Sequence, residues 1–157
     1  MEVFTMNIIK LYIRRWRMLH MCKYLLLSHG SFCKTALETV KLIIGDTSDF
    51  EYILFSEDGD LNLFKDRVKT LLDKKNKIII FTDLYGGSPL ITLADIIGKD
   101  IDKYKEKVSI ITGMNLNMLL EAANQAPDDY STNKIINAGK MSIVDFMESM
   151  KVGDSKR

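Results

Sequence analysis

The run Lys77-Ile78-Ile79-Ile80-Phe81-Thr82 constrains this chain more than any other stretch. Its large apolar residues are continuous, not alternating. That is the pattern of a strand buried on both faces, as the strands of parallel sheets are. Asp83-Leu84-Tyr85-Gly86-Gly87-Ser88-Pro89-Leu90 follows directly. Gly86-Gly87 admits a tight turn and a close approach of backbone to another group. Ser88 reads as a helix N-cap, with Pro89 in the first helical position. A strand, glycine turn and helix start in succession direct free backbone N–H groups at the space beyond the strand. Such a place suits a phosphoryl group or another anion. A glycine pair alone marks any such turn. A second strand end, Leu25-Leu26-Leu27-Ser28-His29-Gly30, adds weight because it carries an imidazole.

Around these two strand ends the chain alternates. Strands are predicted at Lys23–Ser28, Glu51–Phe55, Lys77–Thr82 and Lys107–Thr112. Apolar residues at helical spacing lie between and after them. The first set is Cys33, Ala36, Leu37, Val40, Ile43 and Ile44, closed by Gly45; the second is Leu61, Phe64, Val68, Leu71 and Leu72, after the acidic turn Glu57–Asp60. Leu90, Leu93, Ala94 and Ile97 follow, closed by Gly98, and then Leu116, Leu119, Leu120 and Ala123. Successive strand–helix units imply an α/β fold, a doubly wound and mostly parallel sheet with helices on both faces. In the flavodoxin-like order 2-1-3-4 the first and third strands are neighbours where the winding reverses, and ligands bind there. That order brings His29 and Asp83 together.

The pair has a chemistry. A carboxylate on one ring nitrogen fixes the tautomer and leaves the other nitrogen as a nucleophile. It also stabilises the cationic ring formed on attack. Phosphate is a fitting electrophile, since the Ser88 helix start offers donors to its oxygens. A lone strand-end histidine is more simply satisfied by nearby backbone, and the second strand end is what favours a site.

Composition excludes several other classes. With 157 residues, 46% hydrophobic and 27% charged, the chain suits one domain with a real core. A formal net charge of +1 gives no reason to expect nucleic acid. No apolar run spans a membrane. Cys22 and Cys33 form neither a disulfide framework nor a zinc pattern, so they read as reduced thiols of a cytoplasmic protein. With only His20 and His29, no metal site is expected. Residues 1–20 carry Lys10, Arg14, Arg15 and Arg17 against Glu2, interleaved with apolar residues including Trp16. An amphipathic surface helix is one reading. An extension outside the fold, with His20 uninvolved, is the preferred one. The domain is then 21–150, and 151–157 is a polar tail.

Leu27-Ser28-His29-Gly30, Thr82-Asp83-Leu84-Tyr85-Gly86-Gly87-Ser88-Pro89 and Ile111-Thr112-Gly113-Met114-Asn115-Leu116 together resemble the IIA domain of the mannose family of the bacterial phosphoenolpyruvate-dependent sugar phosphotransferase system. The resemblance implies that His29 accepts a phosphoryl group from the phosphocarrier HPr and passes it to a IIB component, which serves membrane IIC and IID subunits. It implies that Asp83 orients His29, that Gly86, Gly87 and Ser88 border the phosphoryl group, and that no cofactor is needed. It further implies a homodimer exchanging an antiparallel C-terminal strand, and a cytoplasmic protein associated with the permease complex. The apolar tail from Asn133 to Met150 fits an exchanged element, with an edge strand near Lys140–Val144.

Other readings stay open. The phosphotransfer subunit of dihydroxyacetone kinase has the same fold with a histidine at the same place, and a regulatory module of that fold would have lost transfer. A receiver-type module would show acidic residues at the first strand end, where this chain has Ser28-His29. A serine hydrolase elbow would need a second glycine after Ser88.

Overall fold

The computed structural model describes residues 23–56, 59–74, 77–125 and 130–154. The expectations for residues 1–20, His20, Cys22, Glu57-Asp58 and the end of the polar tail lie outside these residues.

Four short strands form where the apolar runs predict them: β1 (Lys23–His29), β2 (Phe50–Phe55), β3 (Ile78–Thr82) and β4 (Val108–Thr112). All three pairings are parallel, in the order β2-β1-β3-β4. β3 is buried at every position, as a continuous apolar run demands of a central strand. The helices are α1 (Phe32–Ile44), α2 (Leu61–Lys74), α3 (Ser88–Gly98), α4 (Ile101–Tyr104), α5 (Leu116–Asn124), α6 (Thr132–Met141) and α7 (Phe146–Asp154).

Alternation along the central strands divides the core in two. Leu26, Ile79 and Phe81 pack with Cys33, Val40, Leu119 and Ile135 on the side of α1, α5 and α6. Leu25, Leu27, Ile78 and Ile80 pack with Val68, Leu72, Leu93 and Tyr104 on the side of α2, α3 and α4. Each fully buried Leu or Ile here contributes roughly 1.5–3 kcal/mol, so two complete layers hold the sheet rigid. The winding passes from β1 outward to β2 and back across to β3. The crevice between the carboxyl ends of β1 and β3 is therefore the switch point.

Two helices bury a face rotated from the expected one. In α5, Met118, Leu119 and Ala122 are buried, while Leu116 is exposed. The cause is α6, which packs so closely that Gly139 lies against Met118. In α3, Thr92 and Ile96 are buried and Ala94 is exposed.

Within the single chain the C-terminal segment is helical. Lys140–Val144 is not a strand, and no antiparallel strand joins the sheet among the described residues. Ser131 caps α6 through its side chain, and Ile135 and Gly139 are buried one helical turn apart. That spacing puts the segment's apolar side on a helix, and α6 runs through Lys140 to Met141. A new helix, α7, begins at Phe146, where Asp145 Oδ1 accepts from Glu148 N at 3.1 Å. Met141, Ile143, Val144, Phe146 and Met147 all remain exposed.

Candidate functional site: the carboxyl ends of β1 and β3

His29 is the last residue of β1, and Asp83 directly follows β3. The order β1-β3 makes these ends neighbours, and the side chains meet. His29 Nδ1–H donates to Asp83 Oδ2 at 2.8 Å, and the backbone N–H of His29 donates to the same oxygen at 2.9 Å. Asp83 Oδ1 accepts from Leu84 N at 2.9 Å. The carboxylate is thus fixed by three donors. An acceptor facing Nδ1 requires the hydrogen there, so in the neutral ring the lone pair lies on Nε2. The His29 side chain is 39% exposed and that of Asp83 only 15%, so the orienting group is sheltered and the ring faces outward.

The turn that follows Asp83 has a specific geometry. Gly87 N donates to Leu84 O at 3.2 Å, closing a turn over Leu84–Gly87. Gly86 sits at its third position with φ +78°, as a type II turn requires. Gly87, not Ser88, is the N-cap of α3, and its backbone is extended. Ser88 and Pro89 therefore each lie one position further into the helix than the sequence suggests. Ser88 makes no capping bond and is exposed. Gly87 also lies against the histidine: a Cβ there would come within 2.7 Å of His29 Cε1.

Two neighbours that sequence reasoning missed complete the site. Ser28 is fully buried, and its Oγ accepts from Cys33 N at 2.8 Å. It thereby satisfies a free donor at the start of α1, where Ser31 makes no side-chain cap. Phe55, at the end of β2, stands edge-on to His29, with centroids 6.0 Å apart and planes at 70°. Its backbone oxygen accepts from Gly30 N at 2.9 Å. A serine before a strand-end histidine was the available signal for the first contact. The second required knowing the register of β2 against β1. Burial pushes the Cys33 thiol above its ordinary range, despite the opposing Ser28 hydrogen bond, so Cys33 is a core group. Among the described residues no cluster of His, Cys, Asp or Glu could hold a metal ion, and no helix is long and apolar enough to cross a membrane.

A doubly wound parallel sheet with an outward-facing, carboxylate-oriented imidazole at its switch point, where such sheets take their ligands, defines a class of α/β protein. Comparison with known proteins names the group within that class. Residues 23–140 match the EIIA-man family, described as the PTS system fructose IIA component, and the chain belongs to that family of sugar phosphotransferase system proteins. It is 28% identical over 121 residues to the sorbose-specific EIIA component of Lacticaseibacillus casei, covering 76% of this chain and 75% of that one. It is 26% identical over 112 residues to the mannose-specific EIIAB component of Escherichia coli K12, covering 69% of this chain. The match spans only 33% of that longer relative. Among solved structures, phosphotransferase system component EIIA from Streptococcus agalactiae superposes with a TM-score of 0.72 at 26% identity, over 82% of this chain and 99% of that one. The PTS IIA protein associated with the fucose utilization operon of Streptococcus pneumoniae gives 0.70 at 25% identity, over 82% and 95%.

Proposed function

We propose that the protein is a phosphocarrier of a sugar-uptake system: His29 accepts a phosphoryl group from phospho-HPr and passes it to a IIB component. The observation that carries this reading is the His29 Nδ1–Asp83 Oδ2 bond, which puts the lone pair of the neutral ring on Nε2, in a side chain that is 39% exposed. Nε2 attacks phosphorus in line. The P–N bond to the donor histidine breaks as the new P–N bond forms. Nδ1 keeps its hydrogen throughout, and the positive charge gained by the ring is balanced by Asp83. In this reading Ser88 and the start of α3 would border the phosphoryl oxygens, with Gly86 shaping the turn and Gly87 leaving room beside the ring. Transfer on to a IIB histidine exchanges like bonds and is close to reversible. The donor bond is already activated, so the residues need neither a metal nor a nucleotide for this step.

The sorbose- and mannose-specific relatives favour sugar uptake over dihydroxyacetone phosphorylation. A cytoplasmic carrier working beside a membrane permease, and acting as a homodimer through its exposed apolar tail, belongs to the same reading. So does a domain of residues 21–150, with 1–20 outside it. The test is incubation with phosphoenolpyruvate, enzyme I and HPr, followed by mapping of acid-labile phosphate. It should fall on His29 and vanish in His29→Ala, which keeps its fold because the ring is no part of either core layer. Wild-type labelling of a histidine in His29→Ala would overturn the assignment.

A further inference from the structure

One hydrogen bond to Nδ1 does not fix a ring. An imidazole tethered at a single nitrogen can still rock about that bond, and in-line attack needs the opposite lone pair aimed to within a narrow cone. Two further neighbours confine His29. Gly87 meets the Cε1 edge so closely that a methyl group would not fit, at 2.7 Å. This glycine has no free N–H to offer an anion, because its own is committed to Leu84 O. Its contribution is space of one size. Phe55 supplies the other limit. Its ring lies edge-on to His29, and it packs in turn against Phe64 of α2, edge-on at 5.1 Å and 84°. Phe64 is buried at 6% exposure and is part of the core layer, so the aromatic line from Phe64 through Phe55 to His29 is anchored in rigid structure. The Gly30 N–Phe55 O bond locks the two strand ends in the register that makes this contact.

We propose that Phe55, acting with Gly87, is a positioning residue that sets the plane of the His29 ring and so the direction of its Nε2 lone pair. The consequence for transfer rests on the phosphocarrier reading above; the consequence for the ring does not. Phe55→Leu keeps apolar packing on α2 but removes the flat edge beside the imidazole. Phe55→Tyr keeps that edge. Gly87→Ala presses on the ring from its other confined side.

The experiment has two readouts on the full chain. The first uses no donor: nuclear Overhauser contacts from the His29 ring protons, assigned by their loss in His29→Ala, to Gly87 Hα and to the ring of residue 55 report how the imidazole lies. Wild type and Phe55→Tyr should show the contact from the Cε1 proton to Gly87 at full strength, Phe55→Leu a weakened one, and Gly87→Ala an altered contact to the Phe55 ring. The second is phosphorylation by phosphoramidate, a small donor that needs no protein docking and releases ammonia as its P–N bond breaks. Phe55→Leu should lower kcat about ten- to a hundredfold, the scale expected of a misplaced nucleophile, with KM little changed. Should Phe55→Leu not fold, Gly87→Ala carries both readouts. Wild-type ring contacts in the folded variants would overturn the proposal, as would a wild-type kcat. If the wild type accepts no phosphate from phosphoramidate or phospho-HPr, the phosphocarrier reading fails, while the ring contacts still decide the clamp.

Discussion

Asp83→Asn is the sharpest probe of the site, because three hydrogen bonds dictate what an amide must do there. Two donors from His29 converge on Oδ2, and Leu84 N reaches Oδ1. An asparagine has one acceptor oxygen and one donor nitrogen. If its oxygen takes the Oδ2 position, both His29 donors are kept and the NH₂ faces Leu84 N. If it is reversed, the NH₂ faces the His29 backbone N–H, and the ring must turn its hydrogen to Nε2, which silences the nucleophile. The Leu84 bond is exposed, so water replaces it cheaply, whereas the His29 bonds are partly buried and an orphaned N–H there costs about 1–3 kcal/mol. The first orientation wins. The tautomer is then preserved, and what is lost is the charge on the acceptor. Charge-assisted hydrogen bonds are worth roughly twice neutral ones, a difference of about 1–1.5 kcal/mol. That is about tenfold in rate. Loss of the orienting carboxylate in a protease triad, which presents the wrong tautomer, costs about 10⁴. Phosphoryl acceptance from phospho-HPr, followed in rapid-quench single turnovers, should therefore slow by about five- to thirteenfold in Asp83→Asn and by more in Asp83→Ala. An unchanged rate would show that Asp83 does not support the charged ring, and a loss beyond about 10³ would show that the amide sits reversed.

Gly139→Ala should destabilise the fold by about 1–3 kcal/mol in urea denaturation, because its Cβ would lie 2.6 Å from Met118 Cγ and Cε and 3.1 Å from Asn115 Nδ2 where α5 and α6 touch. Cys33 is fully buried and its thiol is held above its ordinary range, first by burial. In a Cys22→Ser protein a disulfide reagent at neutral pH should thus titrate no thiol until denaturant is added. The exposed residues Met141, Ile143, Val144, Phe146 and Met147 form too much apolar surface to leave in water, and light scattering at micromolar concentration should give a dimeric mass that becomes monomeric on removal of residues 142–157. Deleting residues 1–20 should leave the melting temperature and phosphoryl acceptance unchanged within error, whereas a fall of more than about 5 °C would place Trp16 and its neighbours in the domain.

What the sequence disclosed and what it hid follow from the range of the interactions. The central strand was legible because Ile78–Phe81 is apolar at every position, and only burial on both faces accounts for that. The meeting of His29 and Asp83 was legible because a doubly wound sheet has one switch point, and both residues end strands that flank it. Residues whose role depends on register or helix rotation were hidden. Phe55 looks like an ordinary strand residue until Gly30 N is seen bonded to its oxygen. The buried face of α5 was misjudged because Met118 turns inward to meet Gly139, a contact set twenty-one residues away that local spacing cannot report. The helical form of the tail within one chain was hidden for a related reason. Ile143 and Val144 are good strand formers, but propensity at an exposed segment is a weak prior, and the Ser131 cap with buried Ile135 and Gly139 commits the preceding residues to a helix. Only a short connection remains between α6 and α7, and among the described residues its apolar side chains Ile143 and Val144 stay exposed. A segment whose local preference is extended, and whose apolar surface is unspent, changes conformation at low cost when a second subunit offers a surface. The dimer assay thus asks whether the helical ending of α6 survives association, or gives way to the strand that the composition of Lys140–Val144 favours.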